Sequence, residues 1–275
     1  DSTLRGHYPL EPDVIAATVT AVNGEETDGV VIVPAFPDAG RVTVGGVHFT
    51  RGTDEDAGQL TPVAETEFAR DASFGFANSE MAKYVEEKSN GRFPADSVIV
   101  LDLDIIRASA DPKISAKAIA DAIDAATDST PIVADIVTEN DLRALALGLE
   151  AAESRGKKLL YRVGPPFVRA RIGQEIRTEL SGEEAYAGNT PSEAGGLIVV
   201  GSHVGVTTRQ LNALTEQHSA ARIVEIDVEK LLGDNAGEYL DETVDTVVAA
   251  LRGGDVIVHT SRLLIKTSDA AESLR

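Results

Sequence analysis

The sequence predicts an α/β fold of two domains, with mainly parallel sheets flanked by helices. Three observations carry this. Short runs rich in β-branched residues recur along the 275 residues, several without a polar interruption, as expected of strands buried on both faces of a parallel sheet. Segments with apolar residues at helical spacing lie between them. A polar stretch over 173–195 then divides this alternation into two parts.

A first helix is expected over Asp13–Val22 and a first strand over Val30–Phe36. Arg41–Val44, Gly45-Gly46 and Val47–Arg51 read as a hairpin, because a diglycine supplies the positive φ angles of a two-residue turn. The acidic loop Gly52–Gly58 follows. A helix over Ser79–Lys88 precedes a strand over Ser97–Ile106, and the Ala-rich Ile114–Ala126 reads as the next helix. The strand Pro131–Val137 then leads to the helix Asp141–Glu153, whose Thr138-Glu139-Asn140 start resembles a cap. Lys158–Val163 is the last strand of a domain placed at 1–172.

Residues 173–195 are rich in Glu, Gly, Ser and Thr and form the expected linker. In the second domain, 196–275, strands at Gly196–Gly201, Arg222–Val228 and Asp255–Thr260 alternate with helices at Thr207–His218 and Glu242–Arg252. Gly253-Gly254 stops the last helix. Three clear strands are few for an independent sheet, and the chain opens on Asp1 rather than Met. Both ends are therefore expected to be incomplete.

Composition narrows the function classes. Asp and Glu number 45 against 25 Lys and Arg, a formal charge of −20, which opposes nucleic-acid and anionic-membrane partners while allowing a local basic pocket. The chain has no cysteine, hence no disulfide, thiolate metal site or cysteine nucleophile. No run approaches the roughly 20 apolar residues of a membrane helix, and a cytoplasmic protein is expected.

Four segments could carry chemistry. Asp1-Ser2-Thr3-Leu4-Arg5-Gly6-His7 packs a carboxylate, two hydroxyls and a guanidinium together, and an arginine fork suits a carboxylate or phosphate. The plainer alternative is a capped helix start. Pro34–Arg41 leaves a buried strand through a proline-bounded loop, where open α/β sheets take ligands; an ordinary turn is the alternative. Glu65–Asp71 is dense in polar groups, although such runs often form solvated faces. Gly201-Ser202 and Thr207 sit in a turn from strand to helix, a geometry that suits phosphate or merely a tight bend. Neither a Walker loop nor a dinucleotide fingerprint is present. Asp102, Asp104 and Asp135, at strand ends, could hold Mg²⁺ or pair with backbone N–H groups.

Taken in order, DSTLRG (1–6), VPAFPDAGR (33–41), the diglycine hairpin, ETEFARD (65–71), the Gly-Ser turn and GDVIVHTSR (254–262) resemble the four-carbon acid sugar kinase family. The resemblance covers most of the chain. It implies a sugar-acid-binding N-terminal domain, a nucleotide-binding C-terminal domain, and an active site in the cleft between them. It also implies ATP- and Mg²⁺-dependent phosphorylation of a terminal hydroxyl on threonate, erythronate or 3-oxo-tetronate. Asp1, Ser2, Thr3 and Arg5 match the substrate-side motif, with Asp1 available as the base and Arg5 as the partner of the acid's carboxylate. Gly40 and Arg41 match a second wall of that pocket; Glu65, Thr66 and Asp71 match the third segment. Gly201, Ser202 and Thr207 fall at the turn expected to touch ATP. Two departures stand out, since the family's opening acidic D-D-x-T-G segment and its C-terminal glycine-rich segment are both absent. The partners implied are a small sugar acid and ATP, and a homodimer is left open. The alternative from another class is a non-catalytic interaction or sensing protein that keeps a sugar-acid pocket.

Overall fold

A run of glycine, valine and isoleucine, all buried, forms the strand at the centre of the larger sheet. The computed structural model describes residues 3–51, 58–71, 73–188, 194–202 and 204–262. The chain divides into two units, 1–177 and 178–275.

Unit 1 contains, in chain order, α1 (Leu10–Asn23), β1 (Gly29–Val33), β2 (Arg41–Val44), β3 (Val47–Arg51), β4 (Leu60–Pro62), α2 (Met81–Lys88), β5 (Ile99–Leu101), α3 (Leu103–Ile106), α4 (Pro112–Ala122), β6 (Thr130–Ala134), α5 (Glu139–Ser154), β7 (Leu159–Val163) and α6 (Pro165–Arg171). Unit 2 contains α7 (Gly182–Tyr186), β8 (Leu197–Val200), α8 (Gly205–Gln217), β9 (Arg222–Ile226), α9 (Val228–Leu231), α10 (Ala236–Leu251) and β10 (Val256–Thr260).

The main sheet of unit 1 has the order β5-β6-β1-β7, every pairing parallel. Successive side chains of a strand face opposite ways, and this splits the core in two. Val31, Val33, Ile132 and Ala134 join Leu142, Leu145 and Ile119 on one face. Val30, Ile32 and Val133 join Leu4, Tyr8, Met81 and Tyr84 on the other. Where α4 meets α5, a Cβ added at Gly148 would lie 2.5 Å from Ile119. Gly148→Ala is expected to destabilise the unit by about 1–3 kcal/mol through overpacking, outweighing the gain of about 1 kcal/mol in helix propensity. Urea unfolding checks this, and an unchanged midpoint would show that the helices yield.

The hairpin β2–β3 forms at the expected residues, with Gly45 and Gly46 at φ +58° and +74°. Strand β4, not foreseen, extends it to a three-stranded antiparallel sheet. Other boundaries differ for identifiable reasons. The strand expected over Ser97–Ile106 stops at Leu101, because the Asp102 carboxylate accepts the Ile105 N–H and starts α3. Similarly, Asp227 accepts the Glu229 N–H and ends β9 before α9. Asp111 and Pro112 move the start of α4 forward. The Thr138 start of α5 is a full capping box with Asp141. Residues 65–71, read without period, form parts of two short 3-10 turns, Val63–Glu65 and Glu67–Arg70. Within the expected linker lies the short exposed helix α7. Of the acidic loop 52–58, residues 52–57 lie outside the described residues.

Unit 2 carries a parallel sheet of order β8-β10-β9. Its middle strand is buried from Val256 to His259, whereas the flanking strands are largely exposed. No helix among the described residues is long and apolar enough to cross a membrane.

Candidate active site

Three loops of unit 1 converge beside the sheet. The first, residues 3–7, is anchored from below. Leu4 is fully buried at φ +63°, a conformation uncommon for a residue with a Cβ, and its carbonyl accepts the Tyr84 hydroxyl at 3.0 Å. Burial pushes the Tyr84 pKa up to about 12, so the hydroxyl remains a donor. Thr3 and Arg5 flank this residue, and Arg5 Nε donates to Thr3 Oγ1 at 3.0 Å.

The second loop brings Arg41. Phe36 and Arg41 exchange two backbone hydrogen bonds, of 2.8 and 3.0 Å, around a single 3-10 turn. Gly40 closes it at φ +72°, where a Cβ would approach Arg51 Cβ to 2.9 Å. The arginine is thus fixed at the first position of β2. Asp135, just past β6, secures the same hairpin from its far end, because its carboxylate accepts the N–H groups of Gly45 (2.7 Å) and Gly46 (2.9 Å). Of the acids that could have held Mg²⁺, Asp135 therefore pairs with backbone, Asp102 caps α3, and Asp104 is exposed on it. Among the described residues no cluster of three or more His, Asp or Glu is placed to hold a metal.

The third loop brings Phe68 and Asp71. Arg5 lies over the Phe68 ring at 5.2 Å and Arg41 over the same ring at 5.7 Å. Arg5 also pairs with Asp71 at 3.5 Å. Partial burial works to raise the Asp71 pKa, but the N–H groups of Ser73 and Phe74 and the charge of Arg5 outweigh it and hold the carboxyl below its ordinary value. Arg41 differs. Burial and then the charge of Arg5 lower its pKa, and its shielded Nε has no hydrogen-bond partner.

Next to these groups lies a cavity of about 370 Å³ lined by Arg5, Gly6, Glu11, Asp71, Phe74 and Arg162, within the range of small-molecule sites. Arg162, on β7, pairs with Glu11 at 3.0 Å and reaches the Arg5 carbonyl at 3.4 Å. The two arginines and two carboxylates of this lining balance in charge; Arg41 is not among the lining residues and stands beside Arg5 over the Phe68 ring.

The structure brings Thr3, Arg5, Arg41 and Asp71 together, with Gly40 shaping the turn. It does not bring in Glu65, which is exposed, while Thr66 Oγ1 donates to the Val63 carbonyl of its own turn at 2.6 Å. Asp1 and Ser2 lie outside the described residues. Sequence reasoning missed Phe68, Phe74 and Arg162. A charged residue inside the apolar run Leu159-Leu160-Tyr161-Arg162-Val163 was the available signal for the last.

In unit 2, Gly201, Ser202 and Thr207 line one cavity of about 320 Å³ with residues of β8 and α8. Helix α8 begins at Gly205, two residues before the expected start, so Thr207 belongs to its first turn. Ser202 Oγ accepts the Val204 N–H at 3.4 Å, while His203 lies outside the described residues. Thr260 Oγ1 donates to the Gly201 carbonyl at 2.8 Å, tying β10 to this turn.

Fold and sites together define a two-unit α/β protein with an arginine- and carboxylate-lined pocket in the first unit and a strand-to-helix glycine turn in the second. Residues 1–171 match the model of a sugar-binding N-terminal domain, and residues 197–275 that of a nucleotide-binding C-terminal domain. The chain belongs to the four-carbon acid sugar kinase family. It is 28% identical over 267 residues to a D-erythronate kinase of Heliobacterium modesticaldum, covering 92% of this chain and 52% of that protein. The chain thus spans about half the length of the curated relative it matches. Among solved structures it is similar to a protein from Salmonella typhimurium LT2 (TM-score 0.60, 16% identity, 99% of this chain and 59% of that one). It is also similar to Haemophilus influenzae protein HI1011 (TM-score 0.52, 18% identity, 99% and 57%). At these identities the two structures show the fold.

Proposed function

We propose that this chain is the substrate-binding part of an ATP-dependent kinase that phosphorylates the terminal hydroxyl of a four-carbon sugar acid in the cytoplasm. Residues 1–172 would bind the acid and 196–275 the nucleotide, joined by 173–195. One observation carries the reading: Arg41, half-buried beside Arg5 over the Phe68 ring, has no acidic partner among the described residues. An unpaired, partly desolvated guanidinium is an unfavourable arrangement that a bound carboxylate relieves. The relative named for its action on D-erythronate supports an acid of this size.

In this reading Arg5 and Arg41 would hold the carboxylate, Thr3 and Asp71 would bond hydroxyls of the acid, and the far hydroxyl alone would remain to react. Its oxygen forms a bond to the γ-phosphorus of ATP as the bond from that phosphorus to the bridging oxygen breaks, and ADP leaves. Asp1, in the same motif as Arg5, is the proposed acceptor of the hydroxyl proton. Gly201, Ser202 and Thr207 would contact the phosphates through backbone N–H groups and hydroxyls. Positioning and electrostatics carry most of the rate in such transfers. Mg²⁺ would enter with the nucleotide and help neutralise its phosphates.

Calorimetric titration with D-erythronate, D-threonate and L-threonate, and with the uncharged erythritol as control, tests this. At least one acid should bind, and erythritol should not. Binding of erythritol equal to that of the acids, or no binding by any of them, would overturn the reading.

A further inference from the structure

The exit of β10 carries a group that neither site described above uses. Arg262 lies two residues beyond the end of the strand, and its Nε, Nη1 and Nη2 are all shielded from solvent with no hydrogen-bond partner. A guanidinium stays charged throughout the accessible pH range. Enclosing one without an acceptor is strongly unfavourable, so a fold keeps such a group only where something compensates it. Among the described side chains the comparable case is Arg41, whose Nε is enclosed in the same way and which the proposed function assigns to the carboxylate of the acid.

The backbone leading into Arg262 is fixed. Thr260 bonds the Gly201 carbonyl at 2.8 Å. Ser261 donates its N–H to the Ile226 carbonyl at 2.8 Å, and its Oγ accepts the Val228 N–H at 3.3 Å. Strand β10 is the middle of three parallel strands, so these residues share the carboxyl edge of the sheet with the Gly201-Ser202 turn. Ligands of open α/β sheets bind outside that edge. A planar guanidinium with several donors matches two oxygens of one phosphate group.

We propose that Arg262 is a phosphate-binding residue of unit 2, neutralised by the phosphate chain of a bound nucleoside di- or triphosphate. The proposal rests on the nucleotide reading of the Gly201-Ser202 turn. It also predicts a signature that a structural arginine lacks: removing the charge should strengthen the unliganded protein while weakening its response to the ligand.

Thermal unfolding and calorimetric titration of the chain with ADP, adenosine and inorganic pyrophosphate test this in wild type, Arg262→Met and Arg262→Lys. ADP should raise the wild-type midpoint, pyrophosphate should raise it less, and adenosine least. Arg262→Met should melt above wild type without ligand and bind ADP at least about 10-fold more weakly, the loss expected for charge-assisted hydrogen bonds. Arg262→Lys should keep part of the ADP response. An ADP response fully retained in Arg262→Met overturns the role of Arg262 and leaves the nucleotide reading standing. If that variant does not fold, undiminished ADP affinity in Arg262→Lys overturns the role in the same way. A wild-type chain that responds to pyrophosphate but not ADP overturns the nucleotide source. One that responds to neither overturns both readings.

Discussion

Arg41→Ala should weaken binding of the four-carbon acid by at least 10-fold, roughly the 1.5–3 kcal/mol of a hydrogen bond to a charged group. The size follows because, among the described residues, this side chain has no acidic or hydrogen-bonding partner. Arg5 is tied to Thr3 and Asp71, so its removal would also disorder its neighbours and confuse loss of contact with loss of structure. The partners of Arg41 are the Phe68 ring and the like charge of Arg5. Truncating it should therefore leave the unfolding midpoint unchanged or slightly raised. Calorimetry with D-erythronate and a thermal melt on the same sample check both halves. An unchanged dissociation constant would remove Arg41 from the pocket, and a collapsed midpoint would make it a structural residue.

Asp135→Ala is expected to produce the largest loss of stability, about 2–4 kcal/mol. The carboxylate is 1% exposed and accepts two backbone N–H groups from adjacent turn residues. Bonds to a charged acceptor contribute about 1.5–3 kcal/mol each, and donors left unsatisfied in the interior add a penalty. Water can replace part of the loss at exposed Gly45 but not at buried Gly46. Asp135→Asn should not rescue the protein, because an amide has a single acceptor oxygen and would point an N–H at the other donor. Urea unfolding measures the loss, and amide exchange should localise it to the hairpin. Since Arg41 opens that hairpin, acid binding should weaken too. An Asn variant as stable as wild type would show that one hydrogen bond suffices.

These cases show what was legible in the letters. The diglycine hairpin and the capped start of α5 rest on local rules, namely turn stereochemistry and capping, and appeared where expected; the buried run of β1 formed a strand too, but it ends at Val33, three residues before the expected Phe36. The ends of β5 and β9 did not, because one aspartate side chain at each place turns an apolar run into a helix. For the pocket, DSTLRG and Gly40-Arg41 were readable as chemistry-bearing segments. The shared aromatic ring between their two arginines was not, since it depends on bringing together residues from three loops. Arg162 was hidden for the same reason, as its partner Glu11 is 151 positions away. The aspartates at the strand ends were readable as acids, but only their partners distinguish a metal ligand from a backbone brace.

The left-handed turn at Leu4 decides how portable this chemistry is. Nothing within residues 3–7 favours that backbone shape for a leucine. It is imposed by burial of the side chain and by a tyrosine 80 positions away. Grafted onto another scaffold, the same short segment would relax and its arginine would point elsewhere. What is inherited as a motif is therefore a contract between the segment and α2.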